Sequence, residues 1–68
     1  MKISARNQLR GTVETVDLGV VTAKVGVRVG QNLIESIITK QSVEDLNIKA
    51  GSEVTALIKS TEVMLMAD

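Results

Sequence analysis

The sequence predicts an all-β chain, and three observations predict it. Val, Ile and Thr supply 22 of the 68 residues, and these β-branched side chains suit a pleated, half-buried surface. The clearest periodicity is two: Val21, Ala23, Val25, Val27 and Val29 alternate with Thr22, Lys24, Gly26, Arg28 and Gly30, as in a strand with one buried face. Only one short segment, near Val43, changes to helical spacing.

Taken in order, Leu9, Gly11 and Val13 alternate with Arg10, Thr12 and Glu14 in a first strand, and Asp17-Leu18-Gly19 predicts the turn of a hairpin into the second strand. Gly26 and Gly30 read as bend or bulge positions. After a turn at Gly30-Gln31-Asn32, residues 33–39 form a third strand, with Ile34, Ser36 and Ile38 opposite Leu33, Glu35 and Ile37. Ser42 and Asp45 have capping-box spacing, and Val43 and Leu46 share one helical face. This predicts a helix of about two turns, with Asn47 and Gly51 as its stop signals. Residues 53–60 alternate again, Val54, Ala56 and Ile58 against Thr55, Leu57 and Lys59. Residues 62–66 predict a last short strand. Its run Val63-Met64-Leu65-Met66 has no polar alternate, so it is expected to be covered by the core on one side and by another subunit on the other. Five strands with one short helix between strands three and four is the element order of a small, partly open barrel of the oligonucleotide/oligosaccharide-binding (OB) type.

Composition bounds the function. A chain of 68 residues and 7.3 kDa is a single domain, 1–68. It has no Cys, His, Pro or aromatic residue, so disulfides are impossible, a zinc site is not expected and the monomer core must be thin. A homo-oligomer is expected on those grounds. Eight basic and eight acidic side chains cancel, which argues against non-specific binding to nucleic acid or membrane surfaces. No apolar run approaches the roughly 20 residues that span a bilayer. The N-terminus lacks a signal-peptide core, so a cytoplasmic protein is expected. Acid–base or nucleophilic catalysis near neutral pH has neither His nor Cys to use, the carboxylates form no close pair, and no phosphate-binding glycine loop is present. The chain reads as a non-enzyme, with no metal ion coordinated directly by its side chains.

Three clusters of hydrogen-bond donors remain. Ser4-Ala5-Arg6-Asn7 joins a hydroxyl, a guanidinium and an amide; Thr39 and Ser42 flank the start of the helix; Lys59-Ser60-Thr61 ends the fourth strand with an ammonium and two hydroxyls. Each has an ordinary structural reading as a cap or strand end. Together they offer positive charge and donors, with no acidic side chain among them, which suits a small, fully deprotonated tetrahedral oxyanion.

The same segments carry a resemblance. Ser4-Ala5-Arg6-Asn7-Gln8-Leu9 with Gly11 and Val13, Ser36-Ile37-Ile38-Thr39 with Ser42-Val43 and Leu46, and residues 54–64 resemble the molybdate-binding Mop proteins, or molbindins, whose domain is also called the transport-associated OB (TOBE) domain. The likeness covers essentially the whole chain; residues 14–32 share only strand character and glycine placement. It implies a cytoplasmic protein that stores molybdate, and tungstate, as a homohexamer built as a trimer of dimers, with oxyanion sites between subunits. The ligands it implies are Ser4, the Ala5 backbone amide and Arg6 from the first element, Thr39 and Ser42 from the second, and Lys59 and Ser60 from the third. The amide of Asn7 has a structural reading beside a ligand one. Two other readings compete: a single-stranded nucleic-acid module, disfavoured by the absence of stacking aromatics, and a purely structural or regulatory assembly domain.

Overall fold

The computed structural model describes residues 2–68. Strands β1 (Asn7–Leu18), β2 (Thr22–Val29), β3 (Asn32–Thr39) and β4 (Glu53–Ile58) form one antiparallel sheet in the order β3-β2-β1-β4. Helix α1 (Lys40–Asp45) leads from β3 toward β4, and a 3₁₀ turn (Ser60–Glu62) follows β4.

In β2 the alternation predicts the inward face from Ala23 to Val27, while Val21, read as part of it, lies before the strand and is 69% exposed. Val13, Ala23, Val25, Val27 and Val43 are buried, and Val16, Val29, Ile34, Ile38, Ile48 and Val54 pack against them. In β1 the inward residue changes from Val13 to Val16 because Val13 pairs with Val27 while Thr15 pairs with Gly26. Glu14 is therefore an extra residue, a β-bulge that reverses the facing of the rest of the strand. Opposite it, a Cβ on Gly26 would stand 2.6 Å from Thr15 Oγ1, which accounts for glycine there. Val29 pairs with Asn32 across a two-residue loop. Gly30 has φ 61° and Gln31 lies outside the positive-φ region, the sign pattern of a type II′ turn that matches strand twist.

Four expectations need correction. The first hairpin turns later than Asp17-Leu18-Gly19: β1 continues to Leu18, paired with Ala23, and Gly19 N–H donates to Thr22 O at 2.8 Å. Ladder hydrogen bonds outweigh the local turn preference of Asp17. The helix starts at Lys40 with Thr39, at φ −74° and ψ 152°, as its N-cap. Ser42 is thus inside the first turn, and Asp45 accepts from Gln41 Nε2 at 2.9 Å instead of closing a capping box. β4 ends at Ile58, not residue 60, because Lys59 already opens the 3₁₀ turn. The fifth strand does not form, and the sheet stays open. Met64, Leu65 and Met66 are 92%, 94% and 95% exposed, so the chain's own core does not cover them. With no polar alternate, nothing in the run selects an inward face, and no edge of its own sheet receives it. Both β3 and β4 are left as edges.

The stop signals hold. Asn47 has φ 53° and Gly51 φ 95°, left-handed conformations that end a helix and reverse the chain. Among the described residues no helix is long and apolar enough to cross a membrane.

Candidate oxyanion-binding site

The β1–β4 register assembles two of the three donor clusters. Asn7 pairs with Ile58 at the end of an uninterrupted antiparallel ladder that runs to Thr12 and Glu53. Residues 4–6 lead into that end of β1, and residues 59–60 lead out of the same end of β4. Asn7 Nδ2 donates to Ile58 O at 3.1 Å and Gln8 Nε2 to Ala5 O at 3.0 Å. The Asn7 amide therefore fastens the junction, which is its structural reading, and Gln8 holds the turn before β1. Ala5 is buried at 6% exposure, so its methyl anchors the loop while Ser4 and Arg6 on either side are exposed.

Three outward ion pairs engage other cations: Arg10 Nη2–Glu53 at 3.0 Å, Lys24 Nζ–Glu35 at 3.8 Å and Arg28 Nε–Glu14 at 2.6 Å. Arg6 and Lys59 form no ion pair among the described residues. The register therefore places both cations at one strand end, neither paired with a carboxylate among the described residues. The Arg28 hydrogen bond foremost, opposed by desolvation and aided by the guanidinium charge, holds the Glu14 carboxyl below its ordinary range and raises the Arg28 guanidinium in return. That pair lies at the bulge and apart from the cluster.

The third cluster lies elsewhere in the protomer. Thr39 pairs with Thr22 at the far end of β3, and antiparallel pairing puts that end beside the C-terminus of β1, away from Asn7. Ser42 N–H donates to Thr39 Oγ1 at 3.0 Å, and the Thr39 hydroxyl donates to Ser42 Oγ at 2.8 Å. One hydroxyl proton is spent within the pair and the other remains for a further acceptor. Sequence reasoning passed over Lys40, the first helical residue after the Thr39 cap, whose N–H donates to Val21 O at 2.8 Å. Its signal was its place one residue after the cap. Within one chain, then, the structure brings Ser4, Ala5, Arg6, Lys59 and Ser60 to one strand end and leaves Thr39 and Ser42 at another. Among the described residues no group of His, Cys, Asp and Glu is arranged to hold a metal ion.

A family model described as the TOBE domain matches residues 3–65. Molybdenum-pterin-binding protein 1 of Clostridium pasteurianum is 54% identical over 68 residues, covering 98% of this chain and all of the relative. The chain belongs to the Mop family of TOBE domains. Solved Mop-type structures agree in shape. A molybdate-binding protein from Sporomusa ovata superposes with TM-score 0.94 at 40% identity, over 98% of this chain and all of that one. The cytoplasmic molybdate-binding protein ModG, solved with molybdate bound, gives TM-score 0.89 at 38% identity, over 94% of this chain and 46% of its own.

Proposed function

We propose that this Mop-type domain binds molybdate, and tungstate by the same chemistry, as a cytoplasmic oxyanion store that works without catalysis. One observation carries the reading: the Asn7–Ile58 register puts Arg6 and Lys59 at the same strand end, on a chain similar throughout to a molybdenum-pterin-binding protein. Arg6 and Lys59 offset the double negative charge. The Ser4 and Ser60 hydroxyls and the Ala5 N–H donate to the oxygens. Charge-assisted hydrogen bonds of this kind are roughly twice as strong as neutral ones.

Thr39 and Ser42 join the site from a neighbouring subunit, since their own strand end is remote from Arg6. The assembly that supplies them is a homohexamer, a trimer of dimers. The bare ion is the ligand of this reading, and the chain has no aromatic side chain on which a pterin ring would stack.

Titration calorimetry with sodium molybdate tests the reading. Arg6→Ala and Lys59→Ala should each weaken binding about 10- to 100-fold, the loss of one charged hydrogen bond, while the circular dichroism spectrum stays β-type. Unchanged affinity in both variants rejects the site.

A further inference from the structure

Two side-chain amides stand next to one another at the start of β1, and they hold different things. Asn7 is half-buried and reaches across to β4, where its Nδ2 donates to Ile58 O. Gln8 is exposed, lies on the other face of the strand and reaches back along its own chain. Its Nε2 donates to Ala5 O at 3.0 Å, the ordinary length of a neutral hydrogen bond.

The carbonyl that Gln8 holds belongs to the peptide joining Ala5 to Arg6. That peptide is trans, so its C=O and N–H point in opposite directions within one plane. Fixing the Ala5 carbonyl toward the Gln8 side chain therefore fixes the Arg6 N–H away from it. Among the described residues neither the Ala5 nor the Arg6 N–H donates to a backbone carbonyl, so both are available to a ligand. The chain bends at Ser4, and residues 4–6 precede the first ladder pair at Asn7. The buried methyl of Ala5 pins that segment at one point. One pinned point leaves the adjoining peptide plane able to turn about the chain axis, and Gln8 supplies the second constraint.

We propose that Gln8 is a positioning residue of the oxyanion site: by gripping the Ala5 carbonyl it sets the direction of the Arg6 N–H and the course of the donors from Ser4 to Arg6. This rests on the site proposed above, and Gln8 acts there through the peptide, not on the anion. Donors ordered before the ligand arrives need not be ordered by it, so the grip is expressed as affinity. In stability it nearly cancels. Holding an exposed glutamine costs rotamer freedom that offsets most of one neutral hydrogen bond.

Gln8→Met, which keeps the length of the side chain and removes the donor, tests the role. Calorimetry with sodium molybdate should show affinity about 3- to 10-fold weaker than the parent's, the worth of one neutral hydrogen bond. The melting temperature of the anion-free protein should stay within about 4 °C, as for an ordinary surface substitution. The backbone amide resonance of Arg6 in the anion-free protein supplies a readout that a merely structural glutamine would not move. It should shift in Gln8→Met. In Gln8→Glu it should shift at neutral pH, where a carboxylate cannot donate, and return toward the parent position as acid restores the O–H. Parent-like affinity in Gln8→Met, with Arg6→Ala still weakened, overturns the positioning role and leaves the site standing. An Arg6 resonance unmoved by Gln8→Met overturns it as well, even if affinity falls. Molybdate binding that neither Arg6→Ala nor Lys59→Ala weakens rejects the site itself, and Gln8 with it.

Discussion

A methyl group has no room at Gly11. A Cβ there would lie 2.5 Å from Arg28 O, 2.8 Å from Val27 Cγ1 and 2.9 Å from Val29 Cγ2, and the nearest atom is ladder backbone, which cannot rotate away. Gly11→Ala should therefore cost about 1–3 kcal/mol. Each kcal/mol lowers the melting temperature of so small a domain by roughly 4–8 °C, so a thermal melt of the variant should fall by at least that much. A melt unchanged from the parent would mean that β1 and β2 are not packed this closely. Glu14 makes a different prediction. Arg28 holds its carboxyl below the ordinary range, by the hydrogen bond first, so the unfolded chain takes up the proton more readily than the folded one. The pair's contribution is complete above the ordinary carboxylate range and is lost as pH falls through the lowered folded value. Melting temperature followed from pH 7 downward should drop on that limb, and Glu14→Gln should flatten the drop. The pair is close to half exposed on both sides, so the effect is small and should shrink with added salt.

At the scale of the element, α1 depends on its cap. A six-residue helix is too short to stand on propensity. Thr39 Oγ1 both accepts the Ser42 N–H and donates to the Ser42 hydroxyl. Thr39→Ala should destabilise the fold by about 1 kcal/mol, the usual worth of an N-cap, and Thr39→Ser should restore it. Ser42→Ala should weaken molybdate binding more than Thr39→Ser does, because it removes a hydroxyl that Thr39→Ser keeps. Calorimetry on the two variants checks that order. The element that sequence reasoning located best is β2, whose alternation has polar members: inward Ala23, Val25 and Val27 are answered by outward Thr22, Lys24 and Arg28. It misplaced the start of α1, because Ser42 and Asp45 have the spacing of a capping box and only the end of β3 makes Thr39 the cap. It read residues 62–66 as a strand of the chain's own sheet, since an unbroken apolar run specifies burial without naming what does the burying. The donor character of residues 4–6, 39–42 and 59–60 was legible because it belongs to side chains. Which of them meet was not, because that follows from the β1–β4 register, and the Glu14 bulge that reorients β1 has no mark in residue spacing.

At the scale of the whole molecule, thinness of the core and placement of the donors have one consequence in common. Five buried valine and alanine residues make up the centre of the cluster, and the largest fully buried side chain is Val13, so a lone copy lacks the apolar burial that stabilises larger domains. The proposed oxyanion site likewise needs Ser42 from a copy other than the one that supplies Arg6. If both hold, anion binding and assembly are two faces of one equilibrium, and linkage makes their coupling reciprocal: the factor by which molybdate tightens assembly equals the factor by which assembly tightens molybdate. Sedimentation velocity over a dilution series should show the subunit dissociation shifted to lower protein concentration by saturating molybdate. Calorimetry above and below that concentration should show affinity for the anion rising with protein concentration by a matching factor. Ligand at 100 times its dissociation constant should then add about 2.7 kcal/mol to the stability of the assembled form, seen as a higher melting temperature that Arg6→Ala abolishes. Affinity independent of protein concentration would place the whole site within one chain, and the separation of Thr39 from Asn7 along the sheet would then exclude Ser42 from it.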